Sequence, residues 1–406
     1  MMNKRMFLGT ATAVALFVAG LAVPAYATDP DAALKDLMTK VMSKGPNGEE
    51  PALASSVTLT DDELAKIKAM NATAALVFHI GGNDWTNAQT AALTEQFGKM
   101  GIKIIAVTDA GFKPEKQVAD IETVMAQKPN IIVSIPVDGQ ATAGAYKAAA
   151  AAGVKLVFMD NIPAGFKAGV DYVSSVSADN FGNGVASAHL MAKALDSKGE
   201  VGIVFHAADF FVTKQRYDGF KKTIAEQYPD IKIVDEQGIG GPDFAGDAEK
   251  AAGAILTSHP ETKAIWAVWD VPAEGVLAAA RAAGREDLKI INMDLGENVA
   301  IEMAKGGMIK GLASQRPYDA GIIEAMLAGY ALIDKPAPAY VALPAGPITP
   351  DTLLKGWAAL YHAAPTDTIT SSFKEASLQM GAGSDATDPA CLLHADQRAD
   401  DDQRTS

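Results

Sequence analysis

The chain has 406 residues, 49% of them apolar, with a formal net charge of −14 and a single cysteine. That length exceeds what one compact domain needs and suits two lobes with large cores. The acidic balance argues against an unaided grip on a phosphate backbone, so no nucleic-acid partner is expected. A lone Cys391 allows neither an intramolecular disulfide nor a cysteine-rich metal cluster.

Lys4 and Arg5 precede an apolar run from about Phe7 to Val23, and Pro24-Ala-Tyr-Ala27 then places small residues where a signal peptidase reads. Residues 1–27 are therefore expected to be a secretory signal peptide, with the mature protein starting at Thr28. The run is short for a membrane anchor, and no later run is long and apolar enough to span a bilayer. Cys391 is far from the leader, so a lipid anchor there is not expected, and the protein is placed free in the periplasm. Residues 28–70 read as an N-terminal helical extension lying on the first lobe. Within it, Thr60-Asp-Asp-Glu63 has capping-box spacing ahead of a helix.

From Thr73 the pattern becomes regular. Strands are predicted near 74–79, 102–107, 130–135 and 154–159, with helices near 86–100, 114–127 and 139–152 between them. After a short strand near 172–175 the alternation restarts, with strands near 200–205, 231–236, 263–269, 288–293 and 308–314. Helices near 182–196, 213–227, 244–258, 272–284 and 296–305 intervene, and one near 318–334 precedes an extended segment at 339–343. Val/Ile-rich runs alternating with Ala-rich amphipathic segments indicate βαβ units. The fold class is α/β, two Rossmann-like lobes with parallel sheets and right-handed crossovers. Beyond about His362 the periodicity is lost, and residues 363–406 are expected to be a disordered tail, since few large apolar residues are available to offset the entropy of ordering.

In open α/β sheets ligands bind outside the carboxyl ends of the strands, so the residues ending each apolar run are the site candidates. Those positions hold His79, Asp160, Asn161, His206, Trp269, Asp270, Asp294 and Gln315. Carboxylates accept pairs of hydroxyl hydrogens, amides both donate and accept, and an aromatic face covers the C–H face of a sugar or polyol. The set describes a polyhydroxylated ligand. Asp160 and Asp294 could also serve as acid and base in a carbohydrate-processing enzyme. No nucleophile elbow, metal-ligand spacing or Walker sequence accompanies them, and His79-Ile-Gly-Gly-Asn83 lacks the glycine spacing of a nucleotide cradle. No cofactor or metal is expected, and no catalytic residue is assigned.

Asn83-Asp-Trp85, Phe158-Met-Asp160-Asn161, Ser177-Ala-Asp-Asn180, Arg216-Tyr-Asp-Gly-Phe220, Pro242-Asp-Phe244, Trp266-Ala-Val-Trp269-Asp270, Asn292-Met-Asp294 and Gln315-Arg-Pro317 occur in that order. Over about residues 70–345 their order and spacing resemble the ribose- and galactose-binding family, periplasmic binding proteins of type I fold that serve sugar ABC transporters. The resemblance implies a three-segment hinge, with crossings near Ser177, Gln315 to Arg316 and Leu343. It implies an N-terminal lobe of 71–177 plus 316–342 and a C-terminal lobe of 178–315 plus 343–362. By the same resemblance Trp85 stacks on a sugar with His79 and Asn83 beside it, Asp160 binds hydroxyls, Arg216 donates, Phe244 forms a second wall, and Asp294 and Gln315 anchor. Two positions depart from the family: Asn161 stands where an arginine is frequent, and Trp269 where an asparagine is. The first removes a cationic donor and the second trades an amide for bulk, which points to a ligand unlike ribose.

Phe210 and His206 are secondary ligand candidates, since either could instead be a lid, core or strand-end residue. Trp266 is assigned to the core and Asp270 to helix capping. The expected function is a monomeric periplasmic solute-binding protein that captures a sugar or sugar alcohol by hinge closure and delivers it to the membrane permease subunits of an ABC importer. The alternatives are a binding protein for a furanose signal or a chemoreceptor ligand, and an exported carbohydrate-processing enzyme.

Overall fold

The computed structural model describes residues 28–379. The expected leader (1–27) and the last part of the expected tail (380–406, with Cys391) lie outside the described residues. In chain order the elements begin α1 (Pro30–Leu37), β1 (Ala52–Leu53), α2 (Asp61–Ala69), β2 (Thr73–Phe78), α3 (Asp84–Lys99), β3 (Lys103–Asp109), α4 (Pro114–Ala126), β4 (Ile131–Ser134), α5 (Ala143–Ala151), β5 (Lys155–Met159) and β6 (Ser174–Ala178). They continue with α6 (Asn180–Ala194), β7 (Gly199–His206), α7 (Phe211–Gln227), β8 (Ile231–Ile239), α8 (Phe244–Ser258), β9 (Ala264–Ala267), α9 (Asp270–Ala282), β10 (Lys289–Met293), α10 (Glu297–Ala304) and β11 (Ile309–Ser314). The last are α11 (Pro317–Leu332), β12 (Tyr340–Leu343), β13 (Gly346–Ile348), α12 (Leu353–Tyr361) and α13 (Asp367–Gln379).

Two sheets result, as the sequence alternation predicts. One has seven strands in the order β1-β12-β6-β5-β4-β2-β3, all parallel. The other has six in the order β13-β11-β10-β9-β7-β8, parallel except for the edge pair β11 and β13. Successive side chains of a strand point to opposite faces, so one strand feeds two cores. Leu76 and Phe78 of β2 join the layer under α3 and α11, whereas Ala75 and Val77 join the layer under α4 and α5. The second sheet is covered on both faces by a core that includes Ile203, Trp266, Ile290 and Leu312. Trp266 is fully buried, donates its indole N–H to the Ser187 hydroxyl at 2.9 Å and stacks on Phe220.

The chain passes between the sheets three times: at Asp179 between β6 and α6, at Gln315 and Arg316 between β11 and α11, and at 344–345 between β12 and β13. A fourth span, not anticipated from sequence, is the N-terminal segment. The sequence pattern puts 28–70 on the first lobe, and β1 and α2 do lie there. Helix α1 instead packs on α6 of the second lobe, because its apolar stripe, Leu34 and Leu37, completes that lobe's core. Between them the chain crosses beside the first connection, where the amides of Met42 and Ser43 donate to the Asp179 carboxylate at 2.7 and 2.8 Å. A second difference is α13, a helix where disorder is expected from 363. Its Ile369 is fully buried in the second lobe's core against α10, a burial the polar composition of 363–406 as a whole does not reveal.

Candidate functional site

The carboxyl ends of the two sheets face each other across a cavity of about 310 Å³. Most of the lining side chains are placed by a strand end or by the first turn of the following helix. From the first sheet, β2 delivers His79, and Asn83 caps α3 by accepting the Thr86 amide at 2.8 Å, which sets Trp85 on the first turn. Asp160 directly follows β5. From the second sheet, β7 delivers His206, Asp294 directly follows β10, and the α8 and α9 starts carry Phe244 and Trp269. Gln315 belongs to the second crossing.

Asp160, Asp294 and Phe112 all hold left-handed backbone, with φ of 52°, 62° and 58°. Non-glycine residues there cost about 1 kcal/mol and concentrate where the chain must turn a functional side chain inward. Arg216 reaches the cavity because α6 and α7 pack almost backbone to backbone. A Cβ on Gly219 would stand 2.4 Å from the Phe181 carbonyl oxygen, and one on Gly184 would stand 2.2 Å from that of Arg216.

Arg216 is 2% exposed. Its Nε–H donates to Asn180 Oδ1 at 2.9 Å, and Nη1 donates to the Val268 carbonyl at 3.2 Å and to Asp294 Oδ2 at 2.8 Å. Gln315 donates to the same Asp294 oxygen at 3.3 Å and accepts the Trp85 indole N–H at 3.3 Å. Asp294 Oδ1 is left without a partner. Asp160 is 4% exposed and accepts the Ser177 hydroxyl at 2.6 Å. Burial pushes its carboxyl up to about 6, against the pull of the Ser177 hydroxyl and of Arg216.

The walls are aromatic. His79 stacks on Phe210 and meets Phe112 and Trp85 edge-on, while Trp269 meets Phe244 and His206 edge-on at 4.9 and 5.4 Å. Burial lowers His79 to about 3 and His206 to about 4, so both rings are neutral near pH 7 and serve as polar aromatic surfaces. Contacts across the mouth hold the lobes together: Phe112 packs on Phe244 at 5.1 Å, and the Glu297 amide donates to Asp84 Oδ2 at 2.8 Å.

Of the site residues read from the sequence, His79, Asn83, Trp85, Asp160, Arg216, Phe244, Trp269, Asp294 and Gln315 line this one cavity, as do Phe210 and His206. Asn161 does not. It is 8% exposed outside the lining, with Oδ1 unpartnered, because the chain turns at the left-handed Asp160. Asp270, expected to cap its helix, also lines the cavity, while Trp269 occupies the N-cap position. Phe112 is the residue that sequence reasoning missed. The strand-end rule, applied to β3, could have found it, since it follows that strand by three residues; its amide donates to the His79 carbonyl at 2.8 Å.

Among the described residues no group of histidine, cysteine or acidic side chains is arranged to hold a metal. The cavity is lined by carboxylate, amide and guanidinium groups and walled by aromatic rings.

Residues 74–336 match the family described as the periplasmic binding protein domain. The ribose import binding protein of Salmonella typhimurium is 24% identical over 275 residues, 66% of this chain and 86% of that protein. The D-apiose import binding protein of Actinobacillus succinogenes is 26% identical over 267 residues, 66% of this chain and 84% of that one. A solved ABC transporter periplasmic solute-binding protein from Actinobacillus succinogenes, with bound D-allose, aligns at a TM-score of 0.62 and 25% identity, covering 70% of this chain and 99% of that one.

Proposed function

This chain belongs to the periplasmic binding protein family, and from that premise we propose that it captures a sugar or sugar alcohol between its lobes and delivers it to an ABC importer. The observation that carries the reading is the cavity itself, built from strand ends of both sheets, so that neither lobe alone holds a complete site. Asp160, His79 and Trp85 come from one side and Arg216, Asp294, Phe244 and Trp269 from the other. A ligand touching both sets stabilises the closed arrangement over the open one by its differential contacts, which is the hinge closure that periplasmic binding proteins use.

The three crossings, at Asp179, Gln315 to Arg316 and 344–345, form the hinge of this mechanism. The lobes, about 71–178 with 316–343 and 180–314 with 346–379, move about it as units. The closed face then presents the surface that permease subunits recognise. The protein acts as a monomer, reaches the periplasm through cleavage of residues 1–27, and performs no covalent chemistry on its ligand.

A thermal-shift screen of pentoses, hexoses and their alditols tests the reading. A ligand at about a hundred times its Kd stabilises the folded state by about 2.7 kcal/mol, and denaturing the complex returns it chemically unchanged. Absence of stabilisation by every member would overturn sugar or polyol capture, and recovery of an altered sugar would overturn the non-enzymatic reading.

A further inference from the structure

The charge inside the cleft does not balance for a neutral ligand. Asp160, Asp270 and Asp294 all line the cavity, and Arg216 is the one lysine or arginine lining it among the described residues. Its guanidinium is already committed to Asp294. Asp160 accepts a hydroxyl, and Asp270 accepts the amide of the next residue, Val271, at 3.0 Å. The histidines supply no positive charge, since burial keeps both neutral, and His79 Nδ1 is buried without a partner in a ring that is 9% exposed.

Closing this cleft on a neutral sugar would enclose Asp160 and Asp270 with no cation of their own, so that each must stay charged or take up a proton. Charges removed from water in this way are costly unless paired. A neutral polyol can satisfy hydrogen bonds but not that imbalance. The wall beside Asp270 has the complementary property: Trp269, Phe244 and Phe112 present ring faces and edges around the same space, and aromatic faces attract ammonium groups.

Resting on the reading that this cleft binds a hydroxylated small molecule, we propose that its ligand is an aminated sugar or polyol whose ammonium lies between Asp270 and the Trp269–Phe244 wall. The hydroxyls of the same ligand meet Asp160, Asp294, Arg216 and Gln315. Burial, with Asp294 the next contributor, pushes the Asp270 carboxyl up to about 7 in the unliganded cleft, which is how an acid lacking its cation behaves. Binding of the ammonium restores the ionised form.

The test is calorimetry on the full chain at pH 7.5 with matched probes. Pentoses, hexoses, alditols and cyclitols are each compared with the mono-amino-deoxy counterpart and with its N-acetyl derivative, which keeps the skeleton and removes the charge. The expected result is that, in every set with a measurable ligand, the amine binds at least tenfold tighter than the neutral parent, acetylation removes the advantage, and Asp270→Asn brings the amine-to-parent ratio towards one. Parents that bind as well as their amines overturn the cationic ligand and leave sugar capture standing. An amine preference that survives Asp270→Asn overturns the placement of the ammonium, and one that survives acetylation overturns the cationic ligand. If neither series binds, sugar capture falls as well. The acetylated probes need no variant, so the ligand charge is decided even if Asp270→Asn does not fold.

Discussion

Asp270→Asn also makes a prediction that needs no ligand. The folded carboxyl is pushed up to about 7 from 3.8, by burial first and then by Asp294, with Glu274 and Asp84 contributing. The folded state therefore holds this proton more tightly than the unfolded chain, so the contribution of Asp270 to wild-type stability falls as the pH rises from about 4 to about 7 and is constant on either side. Each tenfold difference in proton affinity between the two states is worth about 1.4 kcal/mol, so the full penalty at pH 8 is at most about 4 kcal/mol and at pH 5 under about 2. Asp270 is partly exposed at the cavity wall, and solvent screening reduces the penalty at pH 8 to about 2 kcal/mol. Asparagine keeps the shape of the protonated acid and cannot ionise. Urea unfolding at the two pH values should therefore show the variant more stable than wild type by about 2 kcal/mol at pH 8, with the gain shrinking to under about 1 at pH 5. The low-pH titrations of His79 and His206 oppose this trend in both proteins and cancel in the difference. A gain that is equal at both pH values, or a loss at pH 8, would refute the claim that Asp270 carries an unpaired buried charge.

Further outcomes follow from particular contacts. Asp294→Ala should weaken sugar binding and also cost about 3–5 kcal/mol of stability, because it strands the buried Arg216 guanidinium; chemical unfolding showing under about 1 kcal/mol would mean that Asn180 and the Val268 carbonyl satisfy that charge alone. Trp269→Asn should reorder the affinities among sugars without abolishing binding, and an unaltered ranking in a calorimetric panel would remove Trp269 from ligand contact. Asp84→Ala removes the hydrogen bond from the Glu297 amide that joins the lobes. A charge-assisted bond of about 1.5 kcal/mol should raise the Kd roughly tenfold and expand the unliganded protein in small-angle scattering; unchanged values in both would show that this contact does not govern closure. Trp85→Ala should weaken binding while leaving urea stability within about 1 kcal/mol, since Trp85 is a partly exposed wall residue tied to Gln315 by one hydrogen bond.

The βαβ alternation was legible because parallel strands buried on both faces read as continuous apolar runs, as in Ala264–Ala267, and intervening helices carry their own caps, such as Thr60 with Glu63 on α2. The strand-end rule then located most of the cavity lining, since a sheet's topology fixes the edge at which loops gather. Residues at 346–379 were less legible. The β13 strand has three residues, and α12 and α13 exist by docking short apolar faces on the second lobe.

What the sequence by itself determined is therefore local: which segments are strands and helices, where each strand ends, and which polar or aromatic residue sits there. Only the tertiary structure decided which of those tips meet. It took Asn161 out of the cavity at the turn after Asp160, brought Phe112 in by tying its amide to the His79 carbonyl, and moved Asp270 from helix cap to cavity wall. It also sent α1 across to α6 of the second lobe. The reason is that side-chain periodicity reports the burial of one element at a time. The charge balance of a cleft depends on groups far apart in the chain, and Arg216 and Asp294 become one ion pair only when α7 and β10 are packed together.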